Sequence, residues 1–299
     1  MKKYIGARQL AEKWGVTERR IRLMCQEGRI EGAVKLGWSW SIPADVPKPY
    51  DGRHMRTYKN SCVRLGSIDI DGLNSLRDTQ RVRALVQEDG TLDAIASGLL
   101  CLGAAMDGVP MDRGDILQLW THGPVRGMSY QDCLKASSFR SVLLRSPFIQ
   151  HEASVRGVLA LHAAFTQGRD DIGGMQWRRG FVVDPKGDDG LRVDLQMETF
   201  LMQFDREWKG LHPVFRSALL LSGLVQSRPF DEDNCAFAVL ASSALLMSEG
   251  LLPPTMDEDD LNELKATLAL ASGKGVYEDL ARMMERCIIA SYESFGQRR

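Results

Sequence analysis

The chain has 299 residues, of which 44% are hydrophobic and 26% are charged, and its formal net charge is −1. This length and composition indicate an ordinary globular protein of roughly two domains. No run of about eighteen apolar residues occurs and the N terminus has no apolar signal-peptide core, which excludes a membrane-spanning helix and a secretory signal. We therefore expect a cytoplasmic protein with no membrane partner.

The six cysteines are spread along the chain, without a CxxC pair and without a histidine at metal-ligand spacing. Structural zinc sites usually carry such locally spaced ligands. We therefore expect reduced and mostly buried thiols, with neither a metal site nor another cofactor.

Charge is distributed unevenly along the chain. Residues 1–60 carry 13 Lys and Arg against 6 Asp and Glu, which gives this segment a net charge of +7 and leaves −8 for the remainder. A basic segment in front of an acidic body indicates that only the first segment meets a polyanion.

Residues 1–49 predict a small module in the order helix, turn, helix, hairpin. Apolar side chains recur at helical spacing in residues 7–14, and Gly15 can supply the left-handed residue that ends this helix. Thr17 is a good N-cap for a second helix over about residues 18–26. The inward side chains of this second helix are predicted to be Ile21, Met24 and Cys25, and its arginines fall outward.

A hairpin follows the second helix. The run over residues 30–42 alternates in polarity and is interrupted at Gly37, which predicts a two-stranded wing. Three prolines close the module, and residues 50–60, which lack apolar periodicity, are predicted to be a linker.

The second helix of this module bears an arginine-rich face. Arginines near the start of such a helix suit the major groove of double-stranded DNA, where they pair with guanine edges or phosphates. The residues predicted to bind DNA are Thr17, Arg19, Arg20 and Arg22 at the second helix, with Lys35 and Trp38 in the wing. The alternative is an arginine-rich, solvated helix in a protein-interaction module.

The sequence of residues 4–49 also resembles the excisionase/MerR-like winged helix-turn-helix domains found at the front of many bacterial proteins. The resemblance covers nearly the entire module and implies DNA binding. Domains of this kind usually carry a basic residue in the wing after the glycine, where this chain has Trp38. The tryptophan could pack on the sugar-phosphate backbone or on the second domain.

Residues 61–299 are mostly helical in pattern, with glycine and proline turn signals between the helices. The one clear hairpin spans residues 180–193, where two β-rich runs flank a turn-rich sequence. The sequence therefore predicts a mainly α fold, with a small winged helix-turn-helix domain and an all-α domain that carries one β-hairpin flap.

Within this second domain, residues 158–252 resemble the core of the Fic family. The motifs that carry the resemblance are Leu159 to His162 (LALH), Gly174 with Trp177-Arg178, His212-Pro213, and the loop at residues 227–236. The family pattern at that loop is HPFx(D/E)GNGRxxR, and an active member typically moves AMP from ATP onto a protein hydroxyl. The resemblance implies an all-α Fic-like domain over residues 61–299.

The loop departs from the family pattern in its base and its glycines. Arg228 stands at the histidine position, and a guanidinium stays protonated at physiological pH and cannot accept a proton. Asp233 and Cys235 replace the glycines, and their Cβ atoms disfavour the left-handed backbone of a phosphate-binding loop. We expect Arg228 to form an ion pair with Asp231 or Glu232, or else to hold an anionic ligand in the cleft.

The phosphate clamp of the pattern is also missing, because Ala236 and Val239 stand at the two arginine positions. The residues of the pattern that remain are Pro229 and Phe230, interpreted as core packing, with Glu232 at the acidic position and Asn234. The degenerate loop therefore predicts no catalytic residue.

A self-inhibitory motif of the family, (S/T)xxxE(G/N), supplies a glutamate that pairs with the last arginine of the active loop. Its best candidate here is residues 103–108, with Gly103 at the hydroxyl position and Asp107 in place of the glutamate. Because Val239 offers no arginine to this acid, we interpret the segment as a degenerate inhibitory motif.

Together these observations predict a DNA-binding regulator with a catalytically inactive Fic-like domain that serves as a scaffold or sensor. The expected partner is double-stranded DNA, and further candidates are a homodimer and a small anionic ligand or protein partner at the Fic-like cleft. The rival interpretation is a divergent nucleotidyl or phosphoryl transferase that modifies a protein hydroxyl, with Glu232 holding a divalent metal.

Overall fold

The structure is a computed structural model of the chain, and it divides into two compact units, residues 1–61 and residues 62–299. The residues that it describes are 4–26, 30, 32–37, 39–44, 46, 65–79, 90–145, 154–167, 169, 176–182, 192–256 and 258–296. The predicted linker at residues 50–60 and the predicted wing residue Trp38 lie outside this described part.

The first unit is built from two helices and a small antiparallel sheet. Its elements in chain order are β1 (Tyr4–Gly6), α1 (Ala7–Trp14), α2 (Glu18–Gln26), β2 (Val34–Leu36) and β3 (Ser39–Pro43). The strand order is β1-β3-β2, so that β3 lies in the centre. The helices and the hairpin occupy the predicted positions, but β1 was not predicted; it pairs with β3 and places Ile5 opposite Ile42.

Local signals explain why α1 and α2 are separate helices. Gly15 adopts the left-handed conformation (φ 64°) just after α1, as the sequence predicts. The Thr17 hydroxyl then accepts a long hydrogen bond of 3.4 Å from the backbone N–H of Arg20. Ile21, Met24 and Cys25 of α2 are buried, which confirms the predicted inner face of this helix.

The second unit is mainly helical in the part that the structure describes. Its helices are α3 (Ile70–Thr79), α4 (Thr91–Met106), α5 (Arg113–His122), α6 (Tyr130–Arg145), α7 (Val155–Phe165), α8 (Val193–Arg206), α9 (Pro213–Ser227), α10 (Asn234–Ser248), α11 (Glu258–Lys274) and α12 (Glu278–Gly296). The expected mainly helical fold is confirmed. Within the described residues, no helix combines the length and the apolar character that crossing a bilayer requires.

Helix α10 forms the centre of the second unit. Every residue from Asn234 to Met247 is buried, because α10 packs against α9 on one side and against α4 on another. A helix that is apolar on all sides belongs in the middle of a helical core. The loop of residues 228–233 joins the end of α9 to the start of α10, so that two well-packed helices fix both of its ends.

Gly103 lets α4 approach α10 closely. A Cβ atom at residue 103 would lie 2.5 Å from Cα of Ala236, closer than packed atoms allow. The neighbouring atom is backbone, so it cannot move aside like a side chain. This close crossing brings the C-terminal end of α4, and with it Asp107, to the start of α10.

The flap predicted at residues 180–193 falls mostly outside the described part of the chain. At its base, Phe181 and Arg192 form an antiparallel bridge, and the backbone N–H of Val193 donates to the carbonyl of Gly180. The two ends of the predicted hairpin are therefore adjacent, and residues 183–191 lie outside the described residues.

The helix crossing at Gly103 is tested by two alanine substitutions in α4. Gly103→Ala forces Cβ into the backbone of α10 and should lower the free energy of unfolding by about 1–3 kcal/mol. Gly98→Ala is the matched control, because a Cβ there meets nothing nearer than 3.5 Å, and it should be neutral or stabilising by up to about 1 kcal/mol. Denaturant unfolding measures both, and equal effects would contradict the close crossing.

Candidate functional site

The candidate site is the loop of residues 228–233 together with the first turn of α10. In the described part of the chain, the non-glycine residues with positive φ are Arg228 (φ 42°) and Asp233 (φ 53°), one at each end of this loop. Left-handed backbone is costly for residues with a Cβ and persists only where surrounding contacts enforce it. The contacts that hold these two residues therefore define what the site can do.

Arg228 ends α9, and its backbone is held from outside the loop. Its N–H donates to the carbonyl of Leu224 at 3.0 Å, and its own carbonyl accepts from the Arg178 guanidinium. The N–H of Arg178 also donates to the carbonyl of Pro229 at 2.8 Å. Arg178 thus bonds two successive loop carbonyls.

The side chain of Arg228 is exposed and has no ion pair within the described residues. The predicted pairing of Arg228 with Asp231 or Glu232 is therefore wrong; the cation nearest to Glu232 is Arg169, at 3.9 Å. The alternative prediction, that Arg228 holds an anionic ligand, stays a prediction. The Arg228 guanidinium has no acidic partner among the described residues.

Phe230 and Asn234 give the loop a fixed core. Phe230 is 3% exposed, as expected for core packing, and it stacks face to face on His162 with ring centroids 3.4 Å apart. The Asn234 amide accepts from the N–H of Phe230 and donates to its carbonyl, both at 2.9 Å. This asparagine therefore serves the loop backbone and is not free to bind a ligand.

His162 cannot serve as a general base from its buried position. It is 1% exposed, and burial lowers its pKa to about 4, with a further contribution from the positive charge of Arg169. Neither ring nitrogen has a hydrogen-bond partner in the described part of the chain. His162 is therefore a neutral, buried imidazole that a substrate hydroxyl cannot reach. It does not supply the loop with a proton acceptor.

Asp233 is held by two buried cations. Its carboxylate lies 2.6 Å from Nζ of Lys135 and 2.5 Å from Nη2 of Arg169, and all three side chains are less than 10% exposed. Buried ion pairs of this kind are costly to break, because each partner would be left charged without compensation. Asp233 therefore adopts the left-handed backbone that its Cβ was expected to disfavour, because the ion pairs hold it there.

Asp107 occupies the N terminus of α10. Its carboxylate accepts from the N–H of Cys235 at 3.0 and 3.1 Å and from the N–H of Ala236 at 2.9 Å. These N–H groups lack partners within the helix, and the helix dipole favours a negative charge beside them. An internal carboxylate therefore fills the place where a phosphate would bind to this turn.

The remaining positions of the loop pattern, Cys235, Ala236 and Val239, are buried. Ala236 and Val239 are 0% and 3% exposed, so the two clamp positions are buried apolar contacts. Burial, with the Asp107 carboxylate as second cause, raises the pKa of the Cys235 thiol to about 12. A thiol that stays protonated at neutral pH is a poor nucleophile.

Glu232 stands at the acidic position of the pattern and is 65% exposed, and the neighbouring Asp231 is exposed as well. The cation nearest to Glu232 is Arg169, at 3.9 Å, the limit of an ion pair. Within the described residues, no three His, Cys, Asp or Glu side chains lie close enough to hold a metal together.

The predicted DNA-binding residues of the first unit lie on or beside α2 and on β2. Arg19 and Arg22 are exposed, whereas Arg20 is half-buried, so the arginine face is narrower than predicted. Arg22 forms an ion pair of 2.6 Å with Glu18. Thr17 and Lys35 are also exposed.

Sequence reasoning missed Lys135 and Arg169, which hold Asp233. It named Arg178 as a motif residue but missed its bonds to the loop carbonyls. It also interpreted Asp107 as part of a degenerate inhibitory motif. In the structure, the Asp107 carboxylate accepts hydrogen bonds from the N–H groups of Cys235 and Ala236. Gly103, the other residue of that motif, is a packing residue at the α4–α10 crossing. In the sequence, the one local signal for the close approach of α4 to α10 was the small residue Gly103, four positions before Asp107.

Two neighbouring acids test the buried ion cluster. Asp233→Ala leaves Lys135 and Arg169 buried without their counter-charge and should lower the free energy of unfolding by about 3–5 kcal/mol. Glu232→Ala removes an exposed acid at the edge of the cluster and should change it by less than about 1 kcal/mol. Chemical denaturation distinguishes the two, and a small effect at Asp233 would show that the cluster does not hold the loop.

No family model matches the chain, and no curated protein sequence matches it. Solved structures do match. Fic-1 from C. elegans aligns with a TM-score of 0.60 at 20% identity, over 75% of this chain and 70% of that chain.

Two bacterial structures give the same result. A Fic family protein from Desulfovibrio desulfuricans G20 aligns with a TM-score of 0.54 at 12% identity, over 78% of this chain and 77% of that one. A Fic domain containing signaling protein from Bacteroides thetaiotaomicron aligns with a TM-score of 0.56 at 15% identity, over 76% and 94%. Such coverage cannot be reached without most of residues 62–299. The chain therefore contains the fold of the Fic family.

Proposed function

We propose that the chain is a DNA-binding regulator whose Fic-fold unit carries out no group transfer and serves as a scaffold or sensor. The observation that carries the DNA role is the exposed arginine face of α2, within a segment of net charge +7. The observation that carries the inactive role is the Asp107 carboxylate on the N–H groups of α10.

The exposed face of α2 has the chemistry to contact bases. Arg19, Arg22 and Leu23 stand at i, i+3 and i+4, which places them on one side of the helix, and Leu23 is 43% exposed. Arginine pairs with guanine edges and phosphates, and an apolar side chain can contact a thymine methyl group. This face therefore offers both kinds of contact that sequence readout uses.

The ion pair between Arg22 and Glu18 does not prevent DNA binding. Both side chains are partly exposed, and a pair of this kind within one helix contributes about 0.3–0.5 kcal/mol. A phosphate or guanine partner can replace Glu18 at little cost.

A homodimer that contacts two half-sites would add affinity to a module this small.

Three independent losses support the inactive role. The base position holds Arg228, which cannot accept a proton, and loss of a base alone typically lowers a rate by about 10² to 10⁴. The N–H groups that would face phosphate are bonded to Asp107, and the clamp positions are Ala236 and Val239. A polyphosphate would meet a negative carboxylate where a transferase offers hydrogen-bond donors.

Gel shift with random-sequence duplex DNA tests the DNA role. We expect binding that weakens steeply as salt rises, and a triple Arg19→Ala, Arg20→Ala, Arg22→Ala variant should bind more weakly, with a salt slope shallower by up to about 3. A triple Arg179→Ala, Arg192→Ala, Arg206→Ala variant of the second unit carries the same net charge and is the control. Affinity that ignores salt, or equal losses in both variants, would refute the proposal.

A nucleotide-transfer assay tests the inactive role separately. The chain and its Asp107→Ala variant are incubated with labelled ATP and Mg²⁺ or Mn²⁺, and we expect no labelled protein in either case. The variant frees the start of α10, so it removes the block by the internal carboxylate and leaves the missing base and clamp. Labelling that disappears in Glu232→Ala would instead establish the rival interpretation, a divergent transferase.

A further inference from the structure

The second unit contains a cavity of about 320 Å³ between α9, α11 and the start of α10. Its charged and polar lining includes Arg228, Lys265, Ser222 and Ser272, and its apolar wall includes Val225 and Leu268. A cavity of this size is at the small end of the range for small-molecule sites, and a mixed lining with a few converging polar groups is typical of them.

Two cations face this cavity without an acidic partner. Arg228 comes from the end of α9 and Lys265 from α11, and neither forms an ion pair with any residue that the structure describes. Both side chains are exposed, whereas the half-buried Arg216 of the same unit is paired with Glu249. Two unpaired positive charges at one concave surface attract an anion.

Ser222 provides an independent indication of a ligand. It is 1% exposed, and its hydroxyl has no hydrogen-bond partner among the described residues. Ser217 on the same helix donates to the carbonyl of Ser242 at 3.0 Å, and Ser272 across the cavity donates to the carbonyl of Leu268 at 2.7 Å. Buried hydroxyls are nearly always bonded, so the Ser222 hydroxyl needs an acceptor that the described residues do not supply.

The nature of the anion follows from the neighbouring groups. Cys235 also lines the cavity, and its backbone N–H is bonded to the Asp107 carboxylate. A chain of phosphates extending toward α10 would be repelled by this acid, whereas a single anionic group beside Arg228 and Lys265 would not need to approach it. The apolar wall of Val225 and Leu268 suits a hydrocarbon body.

We propose that this cavity binds a small organic anion that bears one anionic group and an apolar body. The anionic group lies between Arg228 and Lys265 and accepts a hydrogen bond from Ser222, and the apolar body packs on Val225 and Leu268. This inference rests on the sensor role proposed above and names the class of ligand that the sensor takes.

Fluorescence titration of the full chain with anilinonaphthalene sulfonate, an aromatic monoanion, tests the site. We expect saturable binding that Arg228→Gln and Lys265→Gln each weaken about tenfold or more, because each removes a charged hydrogen-bond donor. Lys274→Gln, on the same helix but outside the cavity lining, should leave the affinity unchanged. Benzoate should displace the dye, whereas benzamide, its neutral analogue, should not.

A third variant separates ligand binding from a structural role. Ser222→Ala removes the unpartnered hydroxyl and should leave the melting temperature unchanged or higher, while it weakens dye binding several-fold. A lower melting temperature with unchanged dye affinity would assign Ser222 to the core and overturn the site.

The proposal also fails if the dye does not bind, if the two charge variants bind it as the parent does, or if benzamide competes as well as benzoate. No DNA is present in the titration. Failure of the gel shift with success of the titration would therefore remove the DNA role and keep the site, and the reverse result would remove only the site.

Discussion

The hydrogen bonds from the start of α10 to the Asp107 carboxylate are the constraint on which the candidate site depends. They exist because Gly103 allows α4 to cross against the backbone of Ala236, which sets the end of α4 beside the start of α10. A helix N terminus buried in a core needs an anion or other acceptors. Here the chain supplies that anion itself, so the turn that binds phosphate in a transferase is an internal structural contact.

The rest of the loop follows the same principle, because nearly every polar group in it is satisfied from within the protein. Asn234 bonds the backbone of Phe230, Arg178 bonds two carbonyls, and Asp233 neutralises part of a buried cationic cluster. The charged side chains of the loop that stay exposed are Arg228, Asp231 and Glu232, and Arg228 also lines a cavity.

Sequence reasoning succeeded where the cause of the structure is local. The bounds of α1 and α2 follow from apolar spacing and from Gly15, and the residues missing from the loop pattern are visible in the sequence itself. What replaced them is not visible, because Asp107 lies 128 residues from Cys235 and Arg169 lies 64 residues from Asp233. Strand β1 was missed for a related reason: three residues become a strand only by pairing with β3, more than thirty residues later.

The buried cluster of Lys135, Arg169 and Asp233 also bears on how this chain can evolve. Replacing residue 233 alone would leave two buried cations without their counter-charge, and replacing either cation alone would leave the other two charges unbalanced. We therefore expect the three side chains to covary among related sequences, with the cations replaced wherever residue 233 loses its charge.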